Sequence, residues 1–304
     1  MVDAVKSRAW ASRLGHGAAV AFMRLLAALP FALAMRLGAM LGWLFYFVAW
    51  ERRTIAELNL AFCFPQLSVS ERDRLNRQHF AGVGMAVVET AHGWWSRSEK
   101  LQPLIAEVEG EAHLERALAE GRGAILLAAH FTHLEMGAVL LAVRRPLAAV
   151  YRPHDDPDFE QHMGGGRSNR GRAVRSDDTR AIVRALRDGY PLWYAPDQNH
   201  RGDFMVFAPF FGILAASNSA SGRLAAISKA PMLPFWQERL PGYRYRLCFG
   251  PPLEDFPQRD PEADTARINR EIETMVRRQP GAYLWLHARF KTRPANWPRR
   301  YLSH

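Results

Sequence analysis

Ala124-Ile125-Leu126-Leu127-Ala128-Ala129-His130-Phe131-Thr132-His133-Leu134-Glu135 is the stretch on which the fold turns. Its six apolar residues read as a strand buried on both faces, the kind found inside a parallel sheet. The residues after it, Met136 to Ala142, are helix-like. A histidine and a carboxylate five residues on therefore stand where a strand ends and a helix begins. In open α/β sheets ligands bind at that place, outside the carboxyl ends of the strands.

A second stretch has the same grammar. Glu111 to His130 reads as helix, Gly121 stop, strand and polar residue; Asp177 to Asp197 reads as helix from Asp178, Gly189 stop and strand Tyr190 to Ala195. The latter ends in Pro196-Asp197-Gln198-Asn199. A glycine just past each helix supplies the left-handed cap. The two units deliver polar side chains to equivalent places, which puts His130 and Asp197 in one cleft. Pro231–Trp236 and Tyr243–Phe249 read as strands joined through Leu240-Pro241-Gly242. Helices are expected over Glu51–Leu67, over Ser70–Trp95 with Ser70 as N-cap, and over Asp264–Arg278 with Asp264 as N-cap. Ala282–Leu286 reads as a last strand. The fold class is α/β, a mixed sheet flanked by helices, with a helical extension at the amino terminus.

That extension is apolar over residues 18–50, broken at Pro30 and closed by Trp43-Leu44-Phe45-Tyr46-Phe47-Val48-Ala49-Trp50. It meets the roughly 20 residues that a span needs, and its aromatic end suits the headgroup level. Arg36 inside the run costs about 2.5–3.5 kcal/mol at bilayer depth. Basic residues flank both sides, so charge gives no orientation. Two helices broken near Pro30 are expected, anchored in one leaflet or making one shallow span. The chain divides into residues 1–50, membrane-associated, and 51–304, the α/β domain.

Of 40 basic residues against 30 acidic, all but Lys6, Lys100, Lys229 and Lys291 are arginine, and the net charge is +10. Arginine is the better bidentate partner for phosphate and carboxylate, which suits a phosphate-bearing or acidic partner or an anionic membrane. An arginine-rich coding bias would look the same. Nucleic acid is not expected, for no zinc-finger spacing, basic helix or aromatic RNA-binding signature occurs. Cys63 and Cys248 match no metal or redox spacing and read as buried thiols of a cytosol-facing protein.

Four constellations carry chemistry. His130 with Glu135 could be a base and the carboxylate that orients its imidazole; the structural alternative is a capping box, Thr132-x-x-Glu135. His133 could join them around a metal, but the zincin spacing is missing and no metal is expected. Gly164-Gly165-Gly166-Arg167-Ser168-Asn169-Arg170-Gly171-Arg172 combines backbone that a ligand can approach with three guanidinium groups; an exposed loop is the plainer reading. Tyr194-Ala195-Pro196-Asp197-Gln198-Asn199-His200 places Asp197 to orient an arginine or bind a hydroxyl, or is an ordinary turn. Phe207-Ala208-Pro209-Phe210-Phe211-Gly212 and the small residues to Ser221 could line a slot for an acyl chain or simply fill a core. No Gly-x-Ser-x-Gly elbow occurs, which counts against a serine hydrolase.

Taken together, these blocks resemble the late (secondary) acyltransferases of lipid A biosynthesis, within the wider glycerolipid acyltransferase superfamily. The family's His-x4-Asp/Glu signature is His130 to Glu135. Its arginine block is similar to Arg167-Ser168-Asn169-Arg170, its Tyr-Ala-Pro-Asp to Tyr194–Asp197, its Pro-Phe-Phe-Gly to Pro209–Gly212 and its Arg-Phe-Lys-Thr-Arg-Pro to Arg289–Pro294. Asn199-His200 departs from the usual Asp/Asn-Tyr. The resemblance implies a glycerolipid acyltransferase-like fold and acyl transfer from an acyl carrier protein thioester (or acyl-CoA) to a hydroxyl of a Kdo-bearing lipid A precursor. The expected place is the cytoplasmic face of the bacterial inner membrane, and no cofactor is needed. It implies His130 as general base oriented by Glu135, with substrate contacts from Arg167, Asn169, Arg170, Asp197 and Gln198. Relatives that acylate ornithine lipids, phospholipids or glycolipids, and hydrolysis of the thioester, are the alternatives.

Overall fold

Nine strands are present in the computed structural model, which describes residues 17–152 and 171–301. They are β1 (Ile105–Glu109), β2 (Ala124–Leu127), β3 (Ala148–Tyr151), β4 (Arg172–Arg175), β5 (Pro191–Tyr194), β6 (Met205–Phe210), β7 (Ile213–Asn218), β8 (Met232–Leu240) and β9 (Arg244–Phe249). Seven form one sheet in the order β1-β9-β8-β2-β5-β3-β4, and β6 pairs with β7 as a separate hairpin. Neighbours in the large sheet are parallel except β8 and β9, which are antiparallel. The α/β reading with a mixed sheet therefore holds. β2 lies at the centre with every residue buried. Ile125 and Leu127 feed the core on one face, Ala124 and Leu126 the core on the other.

The helices are α1 (Gly17–Ala28), α2 (Phe31–Val48), α3 (Trp50–Cys63), α4 (Val69–Trp95), α5 (Ser98–Leu101), α6 (Glu111–Ala119), α7 (Leu134–Arg144), α8 (Thr179–Arg187), α9 (Ala220–Ser228) and α10 (Pro261–Arg278). Gly121 and Gly189 follow α6 and α8 at φ 72° and 83°, the left-handed caps their positions demanded. Pro30 separates α1 from α2.

Three expectations need correction, and one open alternative is decided. Ser68, not Ser70, caps α4, because Glu71 returns a bond to the Ser68 amide and completes a capping box. Asp260, not Asp264, caps α10, since Pro261 presets the first helical turn; Asp264 is buried and accepts from the Gln258 amide at 2.7 Å. Ala282–Leu286 forms no strand. It docks on the loop after β2, with Thr132 N donating to Ala282 O and Leu284 N to His130 O. The Phe207–Ser221 stretch is the β6–β7 hairpin, turned at Phe211 and Gly212, both with positive φ. Its Phe210, Ala215 and Ala216 are fully buried, so the stretch fills the core.

The long helix α4 joins the amino-terminal helices to the body. Gly38 and Gly42 of α2 meet Gly84 of α4 backbone to backbone: a Cβ on Gly84 would stand 2.0 Å from Gly38 O and 2.4 Å from Gly42 N. No side chain fits there without the helices parting, and overpacking of this kind costs about 1–3 kcal/mol or more. Gly84→Ala is expected to lower the unfolding midpoint by several degrees in a thermal melt, whereas Gly17→Ala, with open space around it, is expected to leave it unchanged.

Candidate active site

β2 and β5 are paired so that Leu127 stands beside Tyr194, and Ala128 N donates to Tyr194 O at 2.9 Å. His130 and Asp197 each lie three residues past those strand ends. The shared register brings them into contact. His130 Nδ1 is 2.6 Å from Asp197 Oδ1, and the His130 backbone N–H donates to Asp197 Oδ2 at 2.9 Å. Asp197 is 1% exposed, while the His130 side chain keeps 24% of its surface open. With Nδ1 committed to the carboxylate, Nε2 is the nitrogen left to take a proton.

The electrostatics follow from this geometry. Burial works against charge on both groups. For His130 the Asp197 charge and hydrogen bond, with a contribution from Glu135, outweigh burial and raise its pKa above the ordinary 6.5. Burial alone would lift Asp197, but the charge and hydrogen bonds of His130 hold it at about 2, and the buried Tyr283 hydroxyl beside it adds to the effect.

Each residue singled out from the sequence has a definite fate. Glu135 is the second residue of α7 and lines the same cleft as His130. The capping box does not form: His133 is the N-cap and its side chain makes no capping bond, Thr132 N is taken by Ala282 O, and buried Thr132 Oγ1 has no partner among the described residues. Asp197, expected at the substrate, is turned inward and has both oxygens on His130; the hydrogen bond expected of Glu135 is made by Asp197. Gln198 lines the cleft. Arg167, Asn169 and Arg170 lie outside the described residues. His133 is fully buried between Gln237 Nε2 at 2.9 Å and Gln279 Oε1 at 3.2 Å, and burial pushes its pKa down to about 3. It is a neutral structural histidine. No metal-binding cluster occurs among the described residues.

The cleft has a volume of about 950 Å³. Trp94 of α4 and Leu134, Ala138, Val139 and Ala142 of α7 give it an apolar lining, and Arg152, Arg172, Arg201 and Arg223 a basic one. Arg172 is held by Asp188 at 2.8 Å, and Arg223 lies over the Phe204 ring.

The segment after Tyr283 was missed as part of the site. Asn199 N donates to His287 Nε2, and the Asn199 amide exchanges two bonds with Thr292. Arg289, 2% exposed, donates to Ala216 O and Ser217 Oγ at 2.7 Å each. The loop carrying Asp197 is thereby fixed between the hairpin and the carboxyl-terminal segment. The polar residues Arg289, Lys291, Thr292 and Arg293, close together after an apolar run, are the signal the sequence offers.

The family described as bacterial lipid A biosynthesis acyltransferase matches residues 6–292. The chain belongs to that family. It is 36% identical over 298 residues to the lipid A biosynthesis lauroyltransferase of Escherichia coli (strain K12), covering 97% of this chain and 95% of the relative. It is likewise 36% identical over 278 residues to the palmitoleoyltransferase of the same organism, covering 90% of each chain. The lipid A biosynthesis myristoyltransferase of that organism is 28% identical over 251 residues, covering 79% of this chain and 76% of the relative. The protein is therefore an acyltransferase of lipid A biosynthesis, and in this member of that family His130 lines the cleft with Asp197 buried behind it.

Because Asp197 supplies the largest effect raising His130, Asp197→Asn leaves burial as the dominant influence. The His130 imidazole is expected to titrate above 6.5 in the wild type and below it in Asp197→Asn, as followed by NMR of ring-labelled histidine.

Proposed function

We propose that the protein moves a fatty acyl group from the thioester of an acyl carrier protein to a hydroxyl of a Kdo-bearing lipid A precursor. The work is done at the cytoplasmic face of the inner membrane. Residues 1–50 would be the membrane-associated part and residues 51–304 the acyltransferase domain. The observation that carries this reading is a buried carboxylate on Nδ1 of an imidazole that borders a cleft with one apolar and one basic lining.

In this scheme His130 Nε2 takes the proton of the acceptor hydroxyl as its oxygen attacks the thioester carbonyl. The tetrahedral oxyanion then collapses, the C–S bond breaks, and the leaving thiolate recovers the proton from Nε2. The products are an ester and a free carrier thiol. Asp197 fixes the tautomer and stabilises the imidazolium that forms in between. Glu135 acts in the same sense, since its charge also favours the protonated ring. General-base help of this kind is worth roughly 10²–10⁴-fold.

Oxyanion stabilisation has to come from elsewhere. The backbone amides of His130, Phe131, Thr132 and Leu134 are occupied by Asp197 Oδ2, Ala129 O, Ala282 O and Phe131 O. The thioester carries its own activation, so no cofactor enters the scheme. Arg167, Asn169, Arg170 and Gln198 are assigned to substrate contacts, with the arginines on a sugar phosphate or phosphopantetheine. The arginine-rich surface, at net +10, suits an acidic carrier and an anionic leaflet. Relatives named for lauroyl, palmitoleoyl and myristoyl transfer support a saturated or monounsaturated chain as the group moved.

With labelled acyl carrier protein thioester and a Kdo-lipid A precursor, His130→Ala is expected to abolish transfer. Asp197→Asn should lower kcat by about 10²–10⁴-fold, and Glu135→Gln should lower it without lowering the melting temperature. Thioester loss that does not depend on the acceptor would overturn the transferase scheme in favour of hydrolysis.

A further inference from the structure

α2 has 18 residues and a length of about 27 Å, enough to cross the hydrocarbon of a bilayer. What it packs against points elsewhere. Its Gly38 and Gly42 press on Gly84 of α4 with backbone in contact. At the α2 carboxyl end, Tyr46 donates to Asp73 of α4 at 2.8 Å, with the guanidinium groups of Arg53 and Arg77 over its ring. At the other end, His92 of α4 bonds to Leu26 O at 3.1 Å and packs edge-on against Phe31. Helices α1 and α2 are thus held along almost the whole of α4.

The far side of α4 belongs to the catalytic body. Gly82 abuts Thr132, Gly93 abuts Val139 of α7, and buried Glu89 pairs with Arg239 of β8 at 2.8 Å. A transbilayer α2 would carry Asp73, Arg77 and the flank of the sheet to bilayer depth, where charge is costly.

We propose that α1 and α2 do not span the membrane but lie in one leaflet of anionic phospholipid, as a fixed part of the catalytic body. This inference rests on the membrane reading above and sharpens it. The face of α2 turned away from α4 carries Leu33, Met40, Trp43, Leu44, Phe47 and Val48, each 46–67% exposed, and α1 adds Phe22 and Leu25. A continuous apolar surface of this kind marks a membrane or protein contact. The exposed arginines Arg24, Arg36 and Arg52 flank it, and their charge selects an anionic leaflet over an apolar protein partner. The surface is also continuous with the site. Arg24 lies over Trp95, Trp95 touches Trp94, and Trp94 is part of the apolar lining of the cleft.

The test places a single cysteine at Arg24→Cys, Arg52→Cys or Glu262→Cys in the full chain, where native Cys63 and Cys248 are buried. Sealed inside-out and right-side-out membrane vesicles are treated with a membrane-impermeant maleimide. All three sites are expected to label in the same vesicle orientation. Labelling of Arg24→Cys from the opposite side to Arg52→Cys and Glu262→Cys, or from neither side, overturns the single-leaflet arrangement.

Flotation on phosphatidylethanolamine–phosphatidylglycerol vesicles separates this from the wider reading. The wild type is expected to float, and Met40→Asp/Trp43→Asp/Phe47→Asp, with an unchanged melt, to partition at least tenfold less. A wild type that does not float overturns both the leaflet proposal and the membrane reading. A wild type that floats but shows opposite-side labelling overturns the leaflet proposal alone.

Discussion

The structure is organised around the alignment of β2 with β5. Two parallel strands in register end side by side, and the third residue beyond each end is His130 in one case and Asp197 in the other. A slip of one residue would turn every side chain of a strand to the other face. It would break both bonds that Asp197 makes to His130. Both strands are almost wholly buried, so the register is specified by packing on two faces at once. The carboxyl-terminal segment completes the arrangement by binding the loops that carry both residues.

Much of this was legible in the chain. The apolar runs, the glycine stops after α6 and α8 and the polar residues at the strand ends gave the α/β class and placed His130 and Asp197 together. The identity of the carboxylate that holds the imidazole was not legible. Glu135 is five residues from His130 and invites a local pairing, whereas Asp197 is 67 residues away and arrives only through sheet register. Short strands were also hidden: β3 and β4 have four residues each, and β4 is bounded by Arg172 and Arg175. The 282–286 run has strand composition, but its backbone partners are in the loop after β2, so tertiary context overrode propensity.

Some of the arginines are committed to partners within the protein. Arg239 is paired with buried Glu89, Arg246 and Arg278 converge on Glu238, and Arg289 is enclosed by the hairpin. These guanidinium groups tie the β8–β9 pair to the helices beside it and hold the hairpin in place. Others line the cleft, as Arg152, Arg172, Arg201 and Arg223 do, or flank the amino-terminal helices, as Arg24, Arg36 and Arg52 do, where phosphate and anionic lipid are the matching chemistry. Composition alone could not divide the two, because a buried Arg with a fixed partner and a surface Arg look alike in a sequence.

In the proposed reaction a carboxylate-held imidazole accepts the proton of the attacking hydroxyl. The pH dependence of kcat/KM for acyl transfer tests it most directly, because it reports the free enzyme. The base must be neutral to act, so the rate should fall on the acid side as one proton binds, with a midpoint above 6.5 in the wild type. A profile that stays flat down through pH 6, or an acid limb that does not move when Asp197 is replaced by Asn, would mean that His130 is not the base.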